Sequence, residues 1–369
     1  MAFRNIANVR TVSVNFLRIL DAMGVDARIT QYRQAKVRTF CIDIILTIKT
    51  ENLMKKIIFV FLLLATNIVI MSAENFEKIQ IGDVYYNLNI ETMTAEVTSP
   101  PTSKYWQSTI DIPSCLEYNG DTYNVTRIGA NAFDQCHNLE RIRFSEGIVS
   151  IGDRAFYKCD KLRSVTLPQS LERIEGHAFY SCSYFGSIEV PNNVVTIGEY
   201  AFSWCQHAKY AIIGNGVTSI GKYAFEKCVE LSRVEMGTNV QTINEGAFWH
   251  CEALSGILLP STLTYIGNQG FFYCNNLCPF TCLAVTPPSL GYEVFGGVEK
   301  GHLDVPAESV VVYKQTAQWN EFNIWAIEDE EAIDEINDGK TQVKKSLHDA
   351  QIYILRGEKA YTLQGQEVK

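Results

Sequence analysis

Positive charge is scarce in this sequence. Its 369 residues hold 32 Lys and Arg against 41 Asp and Glu, a formal net charge of −9, and no basic run interrupts the body of the chain. Neutralising a nucleic-acid backbone needs clustered cations, so nucleic acid is excluded as a partner. Catalytic signatures are missing as well: there is no Gly-x-Ser-x-Gly elbow, no His-Glu-x-x-His pair and no phosphate-binding loop. Nucleophilic and metal-assisted reactions need such arrangements to activate an attacking group, so the expectation is a protein that is not an enzyme and carries no cofactor. Disorder over the whole length is excluded too, because 47% of the residues are hydrophobic and only 20% are charged.

The longest apolar run spans 57–73 and is broken by Thr66 and Asn67, which leaves it short of a comfortable membrane span. Met54-Lys55-Lys56 precedes it, and Met71-Ser72-Ala73 ends it on small residues. A short basic start, an apolar middle and a small-residue end are the layout of a secretory signal peptide, here 54–73 with cleavage near Ala73-Glu74; the alternative is a retained anchor. Since such signals open a chain, 1–53 reads as an upstream extension of the gene. The competing reading is an amphipathic segment, with Val9, Val12, Phe16, Leu20 and Met23 at helical spacing. The mature chain from residue 74 would hold 22 basic and 37 acidic residues, a surface that repels anionic lipid and nucleic acid.

What fills the rest is a repeat. Ile recurs at 128, 151, 174, 197, 220, 243 and 266, a step of 23 residues; Phe follows at 133, 156, 179, 202, 225, 248 and 271, and Cys at 136, 159, 182, 205, 228, 251 and 274. One unit, 151–168, reads Ile-Gly-x-x-Ala-Phe-x-x-Cys-x-x-Leu-x-x-Val-x-Leu-Pro. The L-x-x-V-x-L end has strand alternation and the Ala-Phe-x-x-Cys part suits a tight helical or 3₁₀ turn. A single unit cannot bury both of its apolar edges, but stacked units place like residues on like. The predicted fold is therefore a right-handed repeat solenoid over 125–285, with β caps at 74–124 and 286–327. Within the caps, Val84 to Leu88 pairs with Thr94 to Val97, Ile110-Asp111-Ile112-Pro113 is the strand of a zeroth repeat, and Tyr313, Trp319, Phe322 and Trp325 form an aromatic cluster. An acidic-then-basic linker covers 328–345, and a hairpin about Arg356-Gly357 covers 346–369, too small to be stable without docking onto something. Phe185 and Ala208 replace Leu and Ala211 replaces a larger aliphatic residue, which predicts a thinner or bent stretch at those coils.

The unit 151–168 resembles the BspA-like leucine-rich repeats of bacterial surface and secreted proteins, and Leu303-Asp304-Val305-Pro306 with the aromatic residues after it is similar to the closing segment of such arrays. The resemblance implies an exported protein at the cell surface or outer membrane, or released from the cell, in some relatives an adhesin of gut or oral Gram-negative anaerobes. It brings no catalytic site.

Seven of the eleven cysteines share one column, where parallel stacking aims neighbouring Cβ atoms the same way, so they are read as buried free thiols rather than disulfides. A ladder diverges along an axis, whereas zinc needs four convergent ligands, and the histidines follow no common phase of the repeat; no metal site is expected. Recognition then falls to the outward positions of the strand face: Arg141, Arg143, Glu189, Tyr210, Ile212, Arg233, Glu235 and Leu258. Tyr and Arg are enriched at interface hot spots, so the reading is a binding surface for a protein ligand, host matrix or bacterial surface, with a glycan as the next choice. A structural role at the cell envelope is the alternative. A second patch near the turns comprises Trp204, Trp249, Phe272 and Tyr273, which packing between coils explains equally well.

Overall fold

The computed structural model describes residues 75–327 and, beyond them, the strands between 336 and 368. The stretches expected as a leader, 54–73, and as an upstream extension, 1–53, lie outside the described residues. Residues 90–93 form a turn, at the start of which the Asn89 carboxamide oxygen accepts from the N–H groups of Glu91 and Thr92.

The repeat becomes a β-solenoid of about nine turns with coils of about 23 residues and little helix. Each coil gives a strand to each of two stacks. Two-residue strands centred on the recurrent Ile, such as Ser150–Ile151, Arg173–Ile174 and Thr196–Ile197, pair in parallel and in register, Ile on Ile. This stack belongs to a twelve-stranded sheet that begins with Phe76–Ile81, Val84–Asn89 and Thr94–Thr98 and ends at Ser289–Leu290. The longer strands at L-x-x-V-x-L pair likewise, for example Ile188 with Ala211 and Ala211 with Val234, and their alternate side chains point inward. Ile110 pairs with Ile142, as the zeroth-repeat reading requires, although a hairpin of Cys115–Tyr118 and Asp121–Ile128 lengthens that first coil.

The third side of each coil corrects the expected helical or 3₁₀ turn. Residues before the recurrent Ala and before the recurrent Cys are left-handed in coil after coil, as at Asn131 (φ 56), Gln135 (φ 56), Arg154 (φ 55) and Lys158 (φ 55). A left-handed residue every fourth position breaks any helix and rotates successive peptides along the axis. The result is an alternation: Ala132, Asp134 and Cys136 donate three residues back within the turn, while Asn131, Phe133 and Gln135 donate to Asp153, Ala155 and Tyr157 of the next coil. For non-glycine residues this conformation costs about 1 kcal/mol each, offset here by backbone bonds between coils.

The core is a set of ladders. Phe133, Phe156, Phe179, Phe202, Phe225, Phe248 and Phe271 are fully buried, and neighbouring rings stack, Phe133 on Phe156 at 5.0 Å and Phe248 on Phe271 at 5.2 Å. The ladder runs on to Phe295, 5.8 Å from Phe271, and the long strands continue through Phe280–Cys282 and His302–Val305 to Asn323–Ala326. Coils therefore extend into 286–327, the segment expected as a closing cap. There Tyr313 and Trp319 are buried and donate to the carbonyls of Ala284 and Pro288. Trp325 does not join them: it is 59% exposed and stacks on His302. At the predicted thin stretch the register from Ser187 to Val190 runs unbroken onto Tyr210 to Ile213. Phe185 fills the space, lying edge-on to Phe179 and reaching Phe202 in the coil where Ala208 and Ala211 are small.

The last strands form a separate antiparallel sheet of five: Ile336–Asn337, Gln342–His348, Gln351–Arg356, Lys359–Thr362 and Glu367–Val368. Within it Arg356 lies opposite Lys359, and strand Ile336–Asn337 with the start of Gln342–His348 falls in the stretch expected as a linker.

Candidate binding surface

The eight candidate residues all lie on outward columns of the long strands, but not on one sheet. Arg141 and Arg143 belong to the sheet of Thr109–Ile112, Arg141–Phe144 and Ser164–Thr166. Glu189, Tyr210, Ile212, Arg233 and Glu235 share the sheet of Ser187–Val190, Tyr210–Ile213 and Arg233–Glu235. Leu258 lies in the following sheet, opposite Thr281, after Gly256 has taken a left-handed conformation (φ 58) that interrupts the strand run. The structure thus gathers five of the eight on three adjacent strands.

Within that group Tyr210 stands between Ser187 and Arg233, and Ile212 between Glu189 and Glu235. Tyr210 is 41% exposed, and its hydroxyl donates to Glu189 Oε1 at 3.4 Å. Arg233 Nη2 meets Glu235 Oε1 at 2.6 Å along its own strand. The exposed phenol and the half-buried Ile212 lie between Glu189 on one flank and the Arg233–Glu235 ion pair on the other, an apolar centre with a polar rim. Arg143 is bound to Asp111 at 3.1 Å, whereas Arg141 makes no ion pair among the described residues. Further along the same columns come His302, Asp304 and Trp325, joined by an imidazole–carboxylate contact of 2.7 Å and by ring stacking. Continuing the 23-residue count from Pro279 leads to His302.

The turn patch is a packing feature. Tyr157 stacks on Tyr180 at 4.9 Å, and Tyr200 lies between His177 and Tyr223, 5.0 Å from each. Lys227 Nζ sits 4.3 Å from the Trp204 ring centre and 5.5 Å from that of Trp249. Where a ring column ends, the next coil has glycine: a Cβ on Gly246 would come within 2.2 Å of Tyr223, and one on Gly297 within 2.6 Å of Tyr273. The Trp249 indole N–H is buried without a hydrogen-bond partner among the described residues.

The thiol column has chemistry that an apolar reading misses. Cys159 donates S–H to the Phe133 carbonyl at 3.1 Å, and Cys182, Cys205, Cys228, Cys251 and Cys274 repeat this bond to the preceding coil at 3.1 to 3.3 Å. Burial raises the Cys228 thiol to about 12 and holds Cys159, Cys182, Cys205 and Cys251 well above the usual thiol range. Such thiols are poor nucleophiles and poor metal ligands. Among the described residues no His, Cys, Asp and Glu cluster with the spacing of a metal site, and no helix is long and apolar enough to cross a membrane.

In sequence, residues 120–209 and 172–300 match the BspA type leucine rich repeat region, in six copies. In structure, the chain is similar to a leucine rich cell surface protein from Faecalibacterium prausnitzii A2-165, at 23% identity and a TM-score of 0.50 over 65% of this chain and 72% of that one. A leucine-rich repeat protein from Bacteroides ovatus aligns at 24% identity and a TM-score of 0.49, covering 62% of this chain and 70% of the other. A leucine rich repeat protein from T. pallidum aligns at 25% and 0.47, covering 55% and 92%. No curated protein shows significant similarity to the chain. The likeness to the Faecalibacterium protein concerns the fold.

Proposed function

Because the chain belongs to the BspA type leucine-rich repeat family, we propose that it is an exported binding protein, at the cell surface or released, that captures a protein ligand on the middle of its long-strand face. One observation carries the reading: Tyr210 and Ile212 expose apolar surface at the centre of three paired strands, ringed by Glu189, Arg233 and Glu235. An aromatic anchor within a charged rim is how protein interfaces concentrate their binding energy. Adhesion to host matrix or to other bacteria is the role such a surface would serve.

The test is capture by immobilised chain 74–369 from host-matrix and bacterial-surface fractions. The double variant Tyr210→Ala, Ile212→Ala should lose capture while its melting temperature moves by less than about 2 °C, the range of exposed substitutions. If the parent chain captures nothing from either source, the adhesin reading falls.

A structural role at the envelope is the second reading, favoured by the strand face satisfying its own charges through Asp111 with Arg143 and Arg233 with Glu235. It expects deletion of 346–369 to mislocalise the protein and strand-face substitutions to change nothing.

A further inference from the structure

The long-strand stack stops at Asn323–Ala326, which among the described residues is hydrogen-bonded on one side only, to His302–Val305. Asn323 and Ile327 donate inward to Gly301 and Val305, and strand alternation turns the N–H groups of Ile324 and Ala326 toward the open edge. Helix Val310–Gln315 packs against this strand, and Val311 (63% exposed), Val312 (47%) and Trp325 (59%) leave apolar surface around it. An open strand edge beside apolar side chains is a hazard that soluble proteins cover.

The chain itself supplies a cover of matching chemistry. Nine steps after Ile327 the five-stranded sheet begins, a reach of at most about 30 Å, so it is held near the open end at high effective concentration. By register, Val343, Leu347, Ile352 and Ile354 share one face of that sheet with Lys345 and Arg356. The apolar face of a single sheet is buried only by packing it against another element. Its charge is opposite to that of its neighbour: 336–369 holds six basic and four acidic residues, against 16 basic and 26 acidic in 75–327.

We propose that the terminal five-stranded sheet of this chain docks on the C-terminal end of its own solenoid, its Ile352 and Ile354 face covering helix Val310–Gln315 and the edge of strand Asn323–Ala326. The occupant is the same chain, not a second copy and not another component of the envelope.

Hydrogen exchange on the intact chain 74–369 tests this in both directions. Ile352→Asp with Ile354→Asp should speed exchange of amides in 310–315 and 324–326 at least tenfold. Since that pair of changes also threatens the small sheet itself, the reciprocal variant decides: Val311→Glu with Trp325→Glu, both exposed, should speed exchange in 342–362 by the same factor. Ser346→Asp, on the opposite face of the sheet by register, should alter neither. Unchanged exchange in 342–362 after the Val311 and Trp325 changes overturns the proposal. So does protection that vanishes on dilution together with a dimer in light scattering, which would place a second copy at the edge.

Discussion

At the scale of single residues, the cysteine column shows how one side chain serves packing and hydrogen bonding together. From Phe133 to Phe248, each Phe carbonyl of the ladder accepts the N–H of the Cys three residues on in its own coil and, from the following coil, an S–H, so its two lone pairs are used without a water. Alanine would fill less volume and leave one acceptor site empty; serine would bond but shrink the contact with the Phe ladder. The raised thiols also make stability depend on pH. With Cys228 near 12 when folded and a thiol near 8.5 when unfolded, the unfolded chain sheds protons first as pH rises. The stabilisation is complete below about pH 8.5 and is lost through about pH 12, at about 1.4 kcal/mol per pH unit for each buried thiol. Urea midpoints measured in reductant should fall steeply between pH 8 and pH 10, and Cys182→Ala with Cys205→Ala should flatten that slope. A midpoint independent of pH over this range would contradict the buried, protonated column. In the folded chain at pH 8 a thiol reagent should label exposed Cys115 rapidly and leave the ladder untouched until denaturant is added.

At the scale of the coil, the columns of Ile, Phe, Cys and Leu were legible in the sequence because each is a direct consequence of burying like on like at a fixed step. The turn was not. Its two left-handed positions are filled by Asn, Gln, Arg, His, Ser, Tyr, Gly, Lys and Trp in different coils, a mixture with no common signature, because stacking between coils rather than local propensity selects the conformation. The candidate surface was half legible: alternation placed all eight residues outward, but the break at Gly256 that separates Leu258 from Tyr210 depends on backbone geometry invisible in the pattern. Phe185 and Ala208 illustrate the compensation that the pattern hints at without resolving. Phe185 leans into the coil of Ala208, so Ala208→Leu alone should overpack that space and cost about 1 to 3 kcal/mol. Phe185→Leu alone should cost a similar amount by leaving a void. The double variant restores the consensus in both coils and should recover most of the loss, giving a coupling of about 1 kcal/mol or more in a double-mutant cycle. Additive effects in urea unfolding would mean that the two positions do not share the space.

At the scale of the whole molecule, coils that touch only their neighbours make stability a sum of local terms along one axis. Phe225 stacks on Phe202 and Phe248 and is fully buried, so Phe225→Ala removes two ring contacts and should cost about 3 to 5 kcal/mol. In a protein with one enclosed core that loss would be felt throughout. In this solenoid it should raise hydrogen exchange mainly in the coils from Ile197 to Cys251, leaving the short strands Ser150–Ile151 and Arg173–Ile174 close to their parent protection. The same locality bears on binding. Tyr210 and Ile212 lie in the coil that carries Phe202, next to the weakened one, so Phe225→Ala should reduce ligand capture through loosening of the strand face, whereas Phe133→Ala, three coils away, should destabilise its own end and leave capture intact. Equal loss of capture in the two variants would show that the coils unfold as one unit and that the surface cannot be separated from the array that presents it.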